Sequence, residues 1–146
     1  MCCQPQSSDL RADLGEVRGA IRKILARFDA DYWRRLDADR AFPTDFMSIM
    51  ADAGYFGTLI PERWGGLELG TGVASVIVEE INRAGGDAAV INAQMAICGT
   101  LLRDGTDEQR ARYLPGICDG SIRLLTVAAT EPDSGADMSR LKSLGH

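Results

Sequence analysis

Apolar residues near the start of the chain fall on one helical stripe. Leu10, Leu14, Val17, Ile21, Ile24, Leu25 and Phe28 recur at steps of three and four with one adjacent pair, which predicts an amphipathic helix over 9–28. Ser8 or Asp9 can cap its start. Residues 29–40 are charged but hold Tyr32, Trp33 and Leu36 as anchors for a second short helix. Phe42-Pro43-Thr44-Asp45 opens a third, because proline disfavours helical geometry in the residue before it and Thr44 or Asp45 can cap. Phe46, Met47, Ile49 and Met50 supply its apolar face, and Gly54 ends it. From 55 to 72 apolar residues mix with glycine and proline, the pattern of an ordered, partly buried loop. Val73, Val76, Ile77, Ile81 and Ala84 mark a helix over 73–84, broken at Gly85-Gly86.

Asp87 can cap the next helix, 88–103, which is apolar nearly all round and is therefore expected in the middle of a bundle. Thr106-Asp107-Glu108-Gln109 has the form of a capping box, and Tyr113-Leu114-Pro115 is expected to end the short helix it starts. The character then changes. Ile122 to Ala129 is rich in branched residues and bounded by Gly120-Ser121 and Pro132, which predicts the only strand. One strand is not stable without partners. The pattern thus describes a helical domain followed by the first strand of another.

Composition narrows the chemistry. The chain has 146 residues, 45% hydrophobic and 25% charged, an ordinary globular balance. Its net charge of −5 argues against nucleic-acid binding through phosphate contacts, and no apolar run reaches the ~18 residues of a membrane span. The only histidine, His146, is the last residue, so a Ser-His-Asp or Cys-His catalytic arrangement has almost nothing to use as a base. Cys2, Cys3, Cys98 and Cys118 form no CxxC pair, and Cys98 reads as a small core residue. A disulfide framework is not expected, and the compartment reads as reducing. No secretory signal is recognised at the start. Gly70-Thr71-Gly72-Val73-Ala74-Ser75 approaches GxGxxG but ends in serine with no strand before it, so it reads as a loop feeding a helix. The many carboxylates read as a solvated surface, and none is assigned acid or base work.

Leu124 to Asp137, with Thr130-Glu131-Pro132 and a loop of small residues closing on Asp137, resembles the signature of the acyl-CoA dehydrogenase family. The upstream chain resembles the family in order and spacing: Pro61-Glu62-Arg63-Trp64-Gly65-Gly66, then Ala84-Gly85-Gly86-Asp87, then Thr106 to Pro115. The resemblance covers roughly residues 9–142. It implies a mostly α chain: an N-terminal helical-bundle domain over 1–121, then the opening of a middle β-domain over 122–146. A C-terminal four-helix bundle would complete the enzyme.

By the same resemblance the complete protein is a homotetramer that binds FAD between its domains and desaturates an acyl-CoA thioester. A carboxylate takes the α-proton while the β-hydride passes to the flavin. Val127, Ala129 and Thr130 take flavin-contacting positions, with the Thr130 hydroxyl toward the pyrimidine edge; the plainer alternative is that Thr130 caps a turn. Ala136 takes a ligand-facing position where the family commonly has serine, so its polar contact is lost. Asp133 replaces a glycine and adds negative charge, unfavourable near an anionic cofactor unless it faces solvent. Ser134 is a partial substitute in the wrong register.

The catalytic carboxylate and most of the flavin pocket belong to parts not present here. The chain is therefore expected to be a truncated, frameshifted or split-gene product, cytoplasmic, without catalytic residues, and unable to hold FAD alone. Two alternatives stay open: a non-catalytic helical module or split-enzyme subunit that docks on a partner, and a fragment of a flavin monooxygenase or oxidase of the same fold.

Overall fold

The computed structural model describes residues 7–124 and 128–143, with side chains from Leu14 onward. Six α-helices account for most of the described residues: α1 (Ser7–Leu25), α2 (Ala30–Asp39), α3 (Thr44–Asp52), α4 (Gly70–Arg83), α5 (Ala89–Asp104) and α6 (Asp107–Cys118). Short 3-10 turns lie at Tyr55–Gly57, Glu62–Trp64 and Met138–Arg140.

The caps follow sequence logic. Asp29 accepts the Tyr32 amide at the start of α2, and Thr106 and Gln109 exchange both capping-box bonds at the start of α6. Asp87 accepts the Ala89 amide at 2.8 Å. Gly54, at φ +78, turns the chain out of α3 in the left-handed region that suits glycine. Pro115 does not end α6, contrary to expectation: the helix runs on to Cys118. Pro115 and Ala111, whose carbonyl loses its usual donor, are both exposed residues. The final turn is fixed by burial of Leu114, Ile117 and Cys118.

Two apolar clusters form the core. The larger gathers Ile21, Leu25 and Phe28, Trp33, the inner face of α3, and Val73, Ile77 and Ile81 of α4. Phe46 is fully buried at its centre, edge-on to Phe28 (5.5 Å) and Trp33 (5.1 Å). The smaller joins Ile60, Cys98, Leu114, Ile117 and Cys118. Burial pushes the Cys98 thiol up to about 11 and raises that of Cys118. Both behave as core residues rather than nucleophiles.

Helix α5 departs from its expected place. Ile91, Gln94, Met95 and Cys98 point inward, while Ala89, Asn92, Ala96 and Thr100 are exposed and Val90, Ala93 and Ile97 half-buried. It packs against α4, α6 and the turn at Tyr55–Gly57, and its exposed positions leave it at one side of the described bundle. An apolar groove of about 410 Å³ runs between α4 and α5, floored by Ala74, Val78 and Met95.

Helix α1 is fastened to α4 by charge as well as by its stripe. Glu80, on α4, is almost completely buried. It accepts from Arg22 at 2.7 and 2.9 Å and from Arg18 at 2.5 Å. Arg18 also reaches Glu79 at 2.6 Å. Hydrogen bonds from Arg22, then from Arg18, hold the Glu80 carboxyl at about 2 against the opposing effect of burial, where its ordinary value is 4.5. The unfolded chain thus takes up the proton first. The stability this carboxylate adds is complete above about pH 4.5 and is lost as pH falls toward 2. Glu80→Gln should lower the urea midpoint at pH 7, and its gap to wild type should close across that acid window. A gap independent of pH would show that the carboxylate charge contributes nothing.

The expected strand over 122–129 is not formed in its described part. Residues 122–124 and 128–130 are irregular, and 125–127 lie outside the described residues. The physical reason is the one that makes any lone strand unstable: no neighbouring strand among the described residues supplies its ladder.

Candidate functional site

The Pro61–Gly66 motif is built by backbone contact. Gly57 and Gly66 pack with so little space that a Cβ on Gly57 would stand 3.1 Å from the Gly66 Cα. The Leu67, Leu69 and Glu68 amides donate to the carbonyls of Gly57, Thr58 and Ile60 at 2.9, 2.9 and 3.0 Å. Thr58, itself buried, donates its hydroxyl to the Tyr55 carbonyl at 2.6 Å. The loop expected here is therefore ordered by its own backbone. It also carries the smaller core cluster, on which α6 and then residues 122–124 are seated.

Past Leu124 stand the residues expected to meet a ligand. Val127 lies outside the described residues. Ala129 is half-buried, and Thr130 and Ala136 are exposed. Among the described residues, 128–130 make no backbone hydrogen bond to one another or to the rest of the chain, and no group pairs with the Thr130 hydroxyl. An accessible run of unpaired N–H and C=O groups with one hydroxyl suits the polar edge of a flat heterocycle.

The following loop is closed on itself. The Glu131 and Ser134 backbones exchange hydrogen bonds at 2.8 and 3.1 Å around Pro132-Asp133. The Glu131 carboxylate accepts the amides of Lys142 and Ser143 at 2.9 and 2.8 Å, and bonds from Ser143, then Lys142, lower its pKa. Ser134 is buried and donates its hydroxyl to the Asp137 carbonyl at 2.8 Å. It is thus committed to the loop and does not replace the hydroxyl missing at Ala136. Asp133 is exposed and pairs with Lys142 at 3.1 Å, so its charge is both solvated and countered.

Sequence reasoning missed Gln94. It is 1% exposed, donates to the Ile122 carbonyl at 3.0 Å and accepts the Leu124 amide at 2.6 Å. A lone polar residue at an inward position of α5 was the available signal. Among the described residues no group of three or more metal-ligating side chains occurs, and no helix is long and apolar enough to cross a membrane.

The described chain is a helical domain with an ordered double-glycine loop that leads into a Thr-Glu-Pro turn. The family model "Acyl-CoA dehydrogenase, N-terminal domain" matches residues 12–121. The chain is 37% identical over 131 residues to acyl-CoA dehydrogenase FadE12 of Mycobacterium tuberculosis, covering 86% of this chain and 34% of that protein. It superposes on a glutaryl-coenzyme A dehydrogenase–glutaryl-CoA complex with a TM-score of 0.76 at 25% identity, covering 97% of this chain and 35% of the other. An acyl-CoA dehydrogenase of Bacillus anthracis complexed with FAD gives the same TM-score at 25% identity, over 90% of this chain and 23% of that one. The chain belongs to the acyl-CoA dehydrogenase family. It spans about a third of the length of the curated relatives it matches.

Proposed function

We propose that these residues form the N-terminal part of an FAD-dependent acyl-CoA dehydrogenase that introduces an α,β double bond into an acyl-CoA thioester. The helical domain occupies 1–121 and the middle β-domain opens at 122. The observation that carries the reading is the juxtaposition of the matched domain, ending at Ser121, with Ala128–Thr130 a few positions on, exposed at Ala128 and Thr130 and without a backbone hydrogen bond among the described residues. When bound, FAD supplies a two-electron acceptor for the hydride. What this chain contributes is placement: Val127, Ala129 and Thr130 hold the flavin edge, and the closed loop from Glu131 to Ser143 fixes the turn that presents them. Ala136 stands at the ligand-facing position without a hydroxyl. No residue here removes a proton from substrate. The working enzyme is a cytoplasmic homotetramer completed by the remaining two thirds of the family's length.

The test is flavin retention. The 146-residue chain should emerge from desalting without stoichiometric flavin, since one wall of a pocket does not offset the entropy of fixing so large a ligand. Joined after Lys142 to the remaining domains of a relative, it should retain FAD and be bleached by an acyl-CoA. Thr130→Val in that assembly should weaken FAD or slow its reduction about 5- to 30-fold, the equivalent of one lost hydrogen bond of roughly 1–2 kcal/mol. A neutral Thr130→Val would remove the flavin role assigned to that hydroxyl. Reoxidation by oxygen without an added electron acceptor would favour the oxidase alternative.

A further inference from the structure

We infer that Gln94 is a positioning residue: its side-chain amide stands in for a neighbouring β-strand and sets the register in which the chain leaves the helical domain toward Ala129 and Thr130. In a parallel pair, one residue of the neighbouring strand donates its N–H to the C=O of residue i and accepts the N–H of residue i+2. The Gln94 carboxamide does the same from a helix. Its Nε2 donates to the Ile122 carbonyl at 3.0 Å, and its Oε1 accepts the Leu124 amide at 2.6 Å. The flanking Ile122 and Leu124 side chains pack on the smaller core cluster beside Cys98, one turn along from Gln94. Slippage by one residue would break both bonds and turn both side chains outward.

The alternatives at this position are poor. Gln94 is buried on the inner face of α5, where an unpaired amide would carry the full cost of desolvation. Leu124 precedes Thr130 by only six residues, so an error of register at Leu124 passes to the segment presented to a ligand. The register itself is independent of what is bound. Its consequence for the flavin rests on the reading given above.

The experiment is hydrogen exchange, resolved by residue, on the 146-residue chain. In Gln94→Met, which keeps the length and apolar stem, protection of the Leu124 amide should fall at least tenfold while the Leu114 and Ile117 amides of α6 stay within twofold of wild type. Gln94→Glu supplies a signature that packing alone does not. As a carboxylate it still accepts the Leu124 amide but repels the Ile122 carbonyl, so one of the two bonds that hold the segment is lost; as the neutral acid it can make both. Protection factors at Leu124, corrected for intrinsic exchange, should therefore be lower at pH 8 than near pH 5, where they return toward wild type. If Gln94→Met does not fold, this pH-dependent return still decides the matter. Unchanged Leu124 protection in the variants, a loss shared evenly by the α6 amides, or a Gln94→Glu profile flat in pH would each overturn the inference. Failure of the flavin reading would appear only in FAD retention and would leave these exchange results as they are.

Discussion

Gly66→Ala should be among the most damaging single substitutions in this chain, costing at least about 3 kcal/mol. A Cβ at Gly66 would overlap the Ile60 carbonyl oxygen and lie 2.6 Å from the Ile60 Cβ. Ile60 is fully buried and bound into the smaller core cluster. Its carbonyl also accepts the Glu68 amide. The obstruction is therefore backbone, which does not swing aside as a side-chain tip would. Relief requires moving the loop away from Gly57 and breaking the Leu67-to-Gly57 hydrogen bond. Thermal or urea unfolding measures the loss. Gly99→Ala is the control: it sits mid-helix in α5 with nothing within 4 Å of the added carbon. It should be neutral or stabilising by up to about 1 kcal/mol. Equal midpoints for the two variants would show that the close approach of the loop to Ile60 is wrong.

Phe46→Ala should cost about 3–5 kcal/mol, the range for removing a fully enclosed aromatic side chain. Phe46 joins α3 to the turn after α1 through Phe28 and to α2 through Trp33, so its loss opens a cavity where these parts of the chain meet. The edge-to-face contacts with both rings add to the area term. Trp33 is also packed closely against Gly86, where an added Cβ would meet the indole at 2.8 Å, which limits its movement into the hole. Urea unfolding followed by tryptophan emission reads the stability, and a Trp33 environment altered already in the native baseline is expected. A cost below about 1 kcal/mol would mean that the cluster repacks freely, contrary to the geometry.

The local features were the legible ones. The stripe from Leu14 to Leu25, the capping box at Thr106 and the stop at Gly54 each depend on residues within a turn or two of one another, and each appears where sequence spacing puts it; only Phe28, expected on the same helix, falls in the turn beyond it. Elements that depend on distant partners were not legible. Glu80 reads as one more acid on a solvated helix, yet Arg18 and Arg22, some sixty positions earlier, enclose it. The apolar character of α5 spoke for a central helix, but composition does not say which faces its neighbours cover. Pro115 reads as a terminator because local preference opposes it, and burial of Ile117 and Cys118 outweighs that preference. For the candidate site, Thr130–Asp137 stood out by motif. Its closure through Lys142 and Ser143, and its approach through Gln94, are contacts between parts of the chain that no spacing rule links.

The Glu80 clasp has a consequence for the order in which the chain is made. Arg18 and Glu80 are separated by 62 positions, so during synthesis α1 exists well before the residues that neutralise and cover it. Through that interval its apolar stripe is wetted and its arginines lack their buried acid. The apolar stripe and the arginines of α1 therefore stay without their partners until α4 has been made.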